Sequence, residues 1–320
     1  INFCTLYKQN FIMKFVLNDE CHDTVLSFGF RSSVIVCYII INLGFLKFLM
    51  NNKITSGNAM IMIKSRTIVS LMILVLYFMS FFKEVPLLVT NNEDYARFYC
   101  FFWDLTAPYW CLITMNVYQM MMLAFDQFVC IVFPFKYKSL TRKLTIYLLI
   151  FVKAFSILVG SFYLFFDVAI ISMTNDTGNY TCSYQATVPS TIFYNTFYSG
   201  IPLISLLTFS IFSARNLLKN SKNKMISSDK SIVKKRNLLF YKFSITTFFS
   251  TVFYVVVLMI DVTRFFLMLF SVPLDILTCL PYHNNDFYSL LTIITPLMHF
   301  VLFKRFRQKF LIGISRMYKK

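Results

Sequence analysis

Apolar residues fall along this chain in seven long runs, roughly 26–49, 59–82, 104–131, 144–172, 189–214, 239–265 and 287–303, and the sixth stays apolar as far as Phe270. A helix needs roughly 17–25 mostly apolar residues to cross the hydrocarbon of a bilayer, so each run is a candidate span. The stretches between them are short and polar, with no repeat, low-complexity tract or soluble domain. The pattern predicts an all-α fold: a seven-transmembrane helix bundle over 26–303, an outer N-terminal segment 1–25, and an inner tail 304–320. That tail alternates basic and apolar residues, as a short amphipathic helix lying along the inner leaflet would. No cleavable signal peptide is expected, because Ile1 to Phe15 holds no apolar core bounded by small residues.

Charge orients the bundle. Segments 51–58, 132–143, 215–238 and 304–320 hold 20 Lys and Arg, whereas 1–25, 83–103, 173–188 and 266–286 hold four. Basic loops stay in the cytoplasm, so the first set is inside and the N-terminus is outside, which fits a multi-pass protein of the plasma membrane. Two glycosylation sequons, at Asn175 and Asn179, fall between runs four and five, on the side predicted to be outside.

Composition sharpens the picture. Hydrophobic residues make up 58% of the chain and charged ones only 14%, with 39 Phe and a net charge of +17. Soluble domains carry about 25% charged residues, so the bilayer itself is the first partner implied. The basic residues sit in clusters between apolar runs, which suits anionic lipid rather than a nucleic-acid groove, and no nucleic acid is expected. Eight cysteines show no CxxC and the three histidines, His22, His283 and His299, lie far apart, so no metal and no cofactor is expected. No Gly-rich phosphate loop, GxSxG or HExxH is present, so no catalytic residues and no enzyme are expected.

The end of the third run reads Asp126-Gln127-Phe128-Val129-Cys130-Ile131-Val132-Phe133-Pro134-Phe135-Lys136-Tyr137. This resembles the D-R-Y-x-x-I-x-x-P-x-x-Y stretch of rhodopsin-like G-protein-coupled receptors, with Asp126, Ile131, Pro134 and Tyr137 matching in register. Thr295-Pro296-Leu297-Met298-His299 stands where that family has N-P-x-x-Y, and Phe306 and Phe310 follow at the spacing of its eighth helix. Asn42 matches the helix-one Asn and Pro202 the helix-five Pro, so the resemblance covers nearly the whole chain. It implies a switch built on Asp126, Gln127, Pro134, Tyr137, Pro202, Pro296 and His299, and a disulfide between Cys100 and Cys182. Cys21 and Cys279 also fall outside, where a second bridge is an open alternative; Cys37, Cys111 and Cys130 read as ordinary small helix residues.

The departures are specific. Gln127 replaces the family's arginine, Ser70 stands where its sodium-binding acid falls, run six lacks C-W-x-P, and Thr295 and His299 replace the Asn and Tyr of the seventh motif. Phe253 is expected to take the packing role of the missing Trp. The resemblance places a ligand in the outer half of the bundle, near Asp104, Tyr109, Tyr198, Phe253 and Ser289. Tyr109 stands where amine receptors carry Asp, and Ser289 where opsins carry the retinal lysine, so neither a biogenic amine nor retinal is expected.

The predicted outer segments hold Glu84, Glu93, Asp94, Asp104, Asp167, Asp176, Asp261, Asp275 and Asp286, an acidic vestibule that would attract a cation. A basic peptide is the favoured ligand and a small chemosensory molecule the next. The function expected is transduction of an extracellular ligand to a heterotrimeric G protein. A ligand-binding protein that no longer couples, or a channel or transporter subunit, are the alternatives. Lys64 and Arg66 lie within two turns of the inner end of run two and are expected to snorkel out to the interface; Lys153 lies deeper and has no account from sequence. The aromatic richness of runs three and six is expected to serve packing rather than to form a ligand cage.

Overall fold

The computed structural model describes residues 25–51, 58–80, 107–133, 137, 142–166, 168–173, 180–185, 192–193, 195–224, 231–269, 280–302 and 307–308. The elements in chain order are α1 (Val25–Asn51), α2 (Asn58–Ser80), α3 (Ala107–Val132), α4 (Arg142–Phe166), β1 (Val168–Met173), β2 (Tyr180–Gln185), a π-helical turn (Thr196–Gly200), α5 (Ile201–Lys224), α6 (Ser231–Leu269) and α7 (Leu280–Leu302). By length and composition α1 to α6 can each cross a membrane, while α7 carries a shorter apolar stretch, Tyr288–Leu302. The fold is thus a helical bundle of the kind a bilayer accommodates. Of the predicted inner tail, Arg307 and Gln308 are described and are helical and exposed; the rest of 304–320 lies outside the described residues.

Polar side chains gather inside the bundle beside an apolar core, and large apolar side chains also cover its outside, as a bilayer allows. Asn42, Ser70, Thr114, Asn116, Gln119 and Ser250 are buried, whereas Phe151, Ile204, Ile211 and Val256 are exposed. The central helix is α3: 61% of its span is buried, against 22% for α1. It packs on α2, α4, α5 and α6. Gly160 lets α4 approach closest, since a Cβ there would stand 2.9 Å from the Cα and 2.9 Å from the Sγ of Cys111. Small residues at such crossings let helix backbones come together, and van der Waals contact then replaces the hydrophobic effect as the packing force.

Several run boundaries need correction: α5 runs on to Lys224, α6 starts at Ser231 and α7 at Leu280, each outside the apolar run expected there. The fourth apolar run, expected as helix to 172, turns at Phe166, and residues 168–173 form β1, paired antiparallel with β2 so that Val168 faces Gln185 and Met173 faces Tyr180. The segment is apolar and rich in β-branched residues, and apolarity alone does not separate a short buried strand from helix. In the fifth run helical residues 192–193 and 195 lead into the π turn, in which the Ile201 N–H bonds to the carbonyl of Thr196, five residues back. Pro202, next in line and buried, has no N–H to give. The widened turn absorbs the lost bond, and the Phe197 carbonyl accepts the Tyr118 hydroxyl of α3 at 2.5 Å.

Candidate functional site

Polar and aromatic side chains meet inside the bundle at three levels along α3. At the level of its middle sits Arg66 of α2, 3% exposed. Its Nε donates to the Asn116 side-chain oxygen of α3 at 3.1 Å, one terminal nitrogen to the Thr295 hydroxyl of α7 at 2.6 Å, and the other to the Tyr254 hydroxyl of α6 at 3.0 Å. The guanidinium also lies 5.0 Å from the centre of the Tyr254 ring. Thr295 in turn is 3.2 Å from the Ser250 hydroxyl of α6. One side chain therefore ties four helices together. No carboxylate among the described residues pairs with it. Beside it, Gln119 donates to Ser65 at 3.4 Å, a second link between α3 and α2.

This overturns the expectation that Arg66 snorkels to the interface. The guanidinium needs a polar seat, and the bundle interior supplies three oxygen acceptors at hydrogen-bond distance. The stem follows its own face of α2, shared with the buried Ile63, Val69, Ser70 and Ile73. Lys64, on another face, is half-buried, as is Lys153 of α4.

The second level is the C-terminal end of α3. Asp126 and Gln127 are both buried. The Tyr137 hydroxyl donates to Asp126 at 3.2 Å. Backbone bonds of 2.9 Å from the Phe133 N–H to the Val129 carbonyl and from the Tyr137 N–H to the Phe133 carbonyl keep that phenol close to α3. Burial, and then the adjacent Asp126 carboxylate, hold the Tyr137 phenol above its ordinary range, so it stays protonated and able to donate. The Ser244 hydroxyl of α6 donates to the Gln127 side-chain oxygen at 3.1 Å. Beside this link a shallow cleft of about 310 Å³, part of it open to solvent, runs between α3, α5 and α6, lined in part by Ile131, Phe209, Ser213 and Thr247.

The third level, at the opposite end of α3, is aromatic. Tyr109 and Trp110 of α3, Tyr77 of α2, Tyr198 of the π turn and Tyr288 of α7 form a chain of ring contacts. The Tyr288 hydroxyl donates to the buried Asp261 carboxylate of α6.

Set against the sequence-predicted sites, Tyr109, Tyr198 and Ser289 are buried and Pro202 and Pro296 lie inside the bundle. His299 is buried too, its Nδ1 2.8 Å from the Thr295 carbonyl and its ring 4.9 Å from that of Phe45 on α1. Asn42 is buried with its amide donating to the Tyr38 carbonyl at 3.0 Å. Phe253 needs correction: it is 41% exposed on the outer face of α6, and the neighbouring Tyr254, fully buried, points inward instead. A one-residue shift on a helix turns a side chain by about 100°, enough to exchange core for lipid. Asp104, Pro134, Cys100, Asn175 and Asn179 lie outside the described residues, as does the Cys182 side chain. Sequence reasoning missed Arg66, Asn116, Tyr254 and the Asp261–Tyr288 pair. The signal for the first was an ionisable residue within an apolar run, whose cost usually marks a role. Neither a protein-family model nor a curated protein matches the chain.

Proposed function

We propose that this chain is a seven-helix receptor of the rhodopsin-like type in the plasma membrane, N-terminus outside, with a short eighth helix along the inner leaflet. It transduces an extracellular ligand, a peptide in the favoured reading, to a heterotrimeric G protein. The observation that carries the reading is the inner end of α3, where Asp126 is held by Tyr137 and Gln127 by Ser244. These are adjacent positions of the motif that resembles the family's switch, and one of them links α3 to α6 through a neutral hydrogen bond. A ligand that favours separation of α3 from α6 would shift the population of the two arrangements. The inner cleft beside Ser213 would widen as that bond opens. The basic residues from Arg215 to Lys242, carried mostly by the end of α5 and the start of α6, adjoin that cleft in sequence and would face the G protein.

A second reading, a binder that no longer couples, is favoured by Gln127, which carries no charge where the resemblance calls for arginine. The test is G-protein activation in cells expressing chimeric Gα subunits, with amidated peptides and small odorants, for wild type and Gln127→Arg. A ligand-dependent response of wild type is expected. A response of the variant alone would replace coupling by the second reading. Silence of both at confirmed surface expression would overturn the receptor reading.

A further inference from the structure

The cleft between α3, α5 and α6 holds a polar atom that the fold leaves without a partner. Hydroxyls inside these helices commonly turn back to the carbonyl four residues before them. Thr67 donates to Ile63 at 2.8 Å, Ser156 to Val152 at 2.6 Å, Thr208 to Ile204 at 2.7 Å and Thr251 to Thr247 at 2.8 Å. Ser213 of α5 makes no such bond. It is 9% exposed, and its Oγ meets no donor or acceptor among the described residues. A buried hydroxyl without a partner is costly, and this one lines a cleft of about 310 Å³ that is open on one side.

The rest of the wall says what fits. Ala124, Ile131, Phe209 and Phe248 are apolar, and the hydroxyls of Ser244 and Thr251 are turned to Gln127 and to the Thr247 carbonyl. None of the described residues lining the cleft carries a charge, so an ionised head group there would lack a counter-ion. The volume stands at the lower end of small-molecule sites, roughly 300–1,000 Å³, which suits one alkyl chain. The rim includes Phe248, exposed, with Ser210 and Ala214 half-buried. All three lie in segments long and apolar enough to cross a membrane, so in a bilayer the open side meets lipid. We propose that the cleft is a binding site for a neutral aliphatic amphiphile, a single alkyl chain with a hydroxyl head. It enters from the lipid, lays its chain against Ile131, Phe209 and Phe248, and gives Ser213 the hydrogen-bond partner it lacks. The inference goes beyond the receptor reading and stands without it. Because the same wall carries the Gln127–Ser244 bond, an occupant packed between α3, α5 and α6 favours the arrangement in which that bond is closed.

The experiment needs neither a signalling ligand nor a G protein, so its failure and a failure of coupling are separate events. The purified full chain in phosphatidylcholine nanodiscs is photolabelled with an octanol that carries a diazirine on its chain, and the labelled residues are mapped by peptide mass spectrometry. Labelling is expected to saturate and to fall on the cleft residues of α5 and α6, from Phe209 to Ala214 and from Ser244 to Thr251. Excess octanol is expected to abolish it, and ionised octanoate, which puts a charge in place of the hydroxyl, to leave it standing. Ser213→Ala removes the anchor and almost no volume, and is expected to weaken binding roughly two- to tenfold, the worth of one neutral hydrogen bond. Ser213→Leu, which fills the cleft, is expected to lose the saturable labelling altogether. Thermal unfolding of each variant checks that it folds, and the competition in wild type decides between the two head groups whatever the variants do. Labelling that never saturates and spreads evenly over the lipid-facing helices, equal competition by octanol and octanoate, or undiminished binding in folded Ser213→Ala would each overturn the proposal.

Discussion

Arg66 carries a full charge into the middle of the bundle and is held there by neutral oxygens alone among the described residues. Burying a charge costs several kcal/mol, and only a fixed set of hydrogen bonds offsets it. The planar fork matters more than the charge, because it aims donors at α3, α6 and α7 at once, and an ammonium on a flexible stem does not. Arg66→Lys is therefore expected to destabilise the protein in detergent by about 2–4 kcal/mol, the worth of one to two hydrogen bonds to a charged group. A thermal midpoint equal to that of wild type would show that the tether carries no stability. The residue was visible in the sequence as a charge within an apolar run, but its direction was not. In a bilayer both faces of α2 are apolar, with Ile68, Met72 and Val75 outward and Ile63, Ile73 and Leu74 inward, so periodicity of hydrophobicity does not say which face meets the bundle. The spacing of the polar residues does: Arg66 and Ser70 are one turn apart on a single stripe, as are Thr67 and Ser70.

Elements were legible in proportion to how far each rests on apolarity alone. Runs one, two and three match α1, α2 and α3 to within a few residues, because length and apolarity decide a span. Where a second force acts, the runs mislead: β-branched residues after Phe166 pair as strand, and Pro202 sends the start of α5 through a π turn. Helix crossings were not legible, since they depend on which residues face each other. Gly160 is the clearest case. Its hydrogen occupies the only room between α4 and the Cys111 backbone of α3, so any side chain there must push the helices apart. Gly160→Val is expected to cost about 1–3 kcal/mol as overpacking, although Val is otherwise at home in an apolar helix. Unfolding monitored with a thiol-reactive dye gives the readout, since Cys111 is partly buried at this contact. An unchanged unfolding midpoint in Gly160→Val would mean that α4 packs elsewhere.

At the scale of the whole molecule, the outward apolar face and the inward polar column divide the labour: lipid accepts the first without specificity, and the second decides how the helices register. Near the C-terminal end of α3 the column ties α3 to α6 through a neutral bond, Ser244 to Gln127. The stretch from Asp126 to Tyr137 stood out in the sequence; the partner of Gln127 on α6 did not, because 117 residues separate the two and a serine carries no signal of its own. A neutral bond of this kind contributes about 0.5–1.5 kcal/mol net, and its loss shifts a two-state equilibrium by roughly two- to tenfold. Ser244→Ala is accordingly expected to raise the fraction of molecules with α3 and α6 apart by about that factor, read by the distance between spin labels at their inner ends. Gln127→Ala should have the same effect, and the double variant should add little, since both changes remove one bond. Because neither partner is charged, the shift should be nearly the same from 0.05 to 0.5 M salt, where a salt-bridged link would weaken. Strictly additive effects of the two substitutions would mean that Gln127 and Ser244 act on the inner end independently, and the bond between them would then not be what holds α6 against α3.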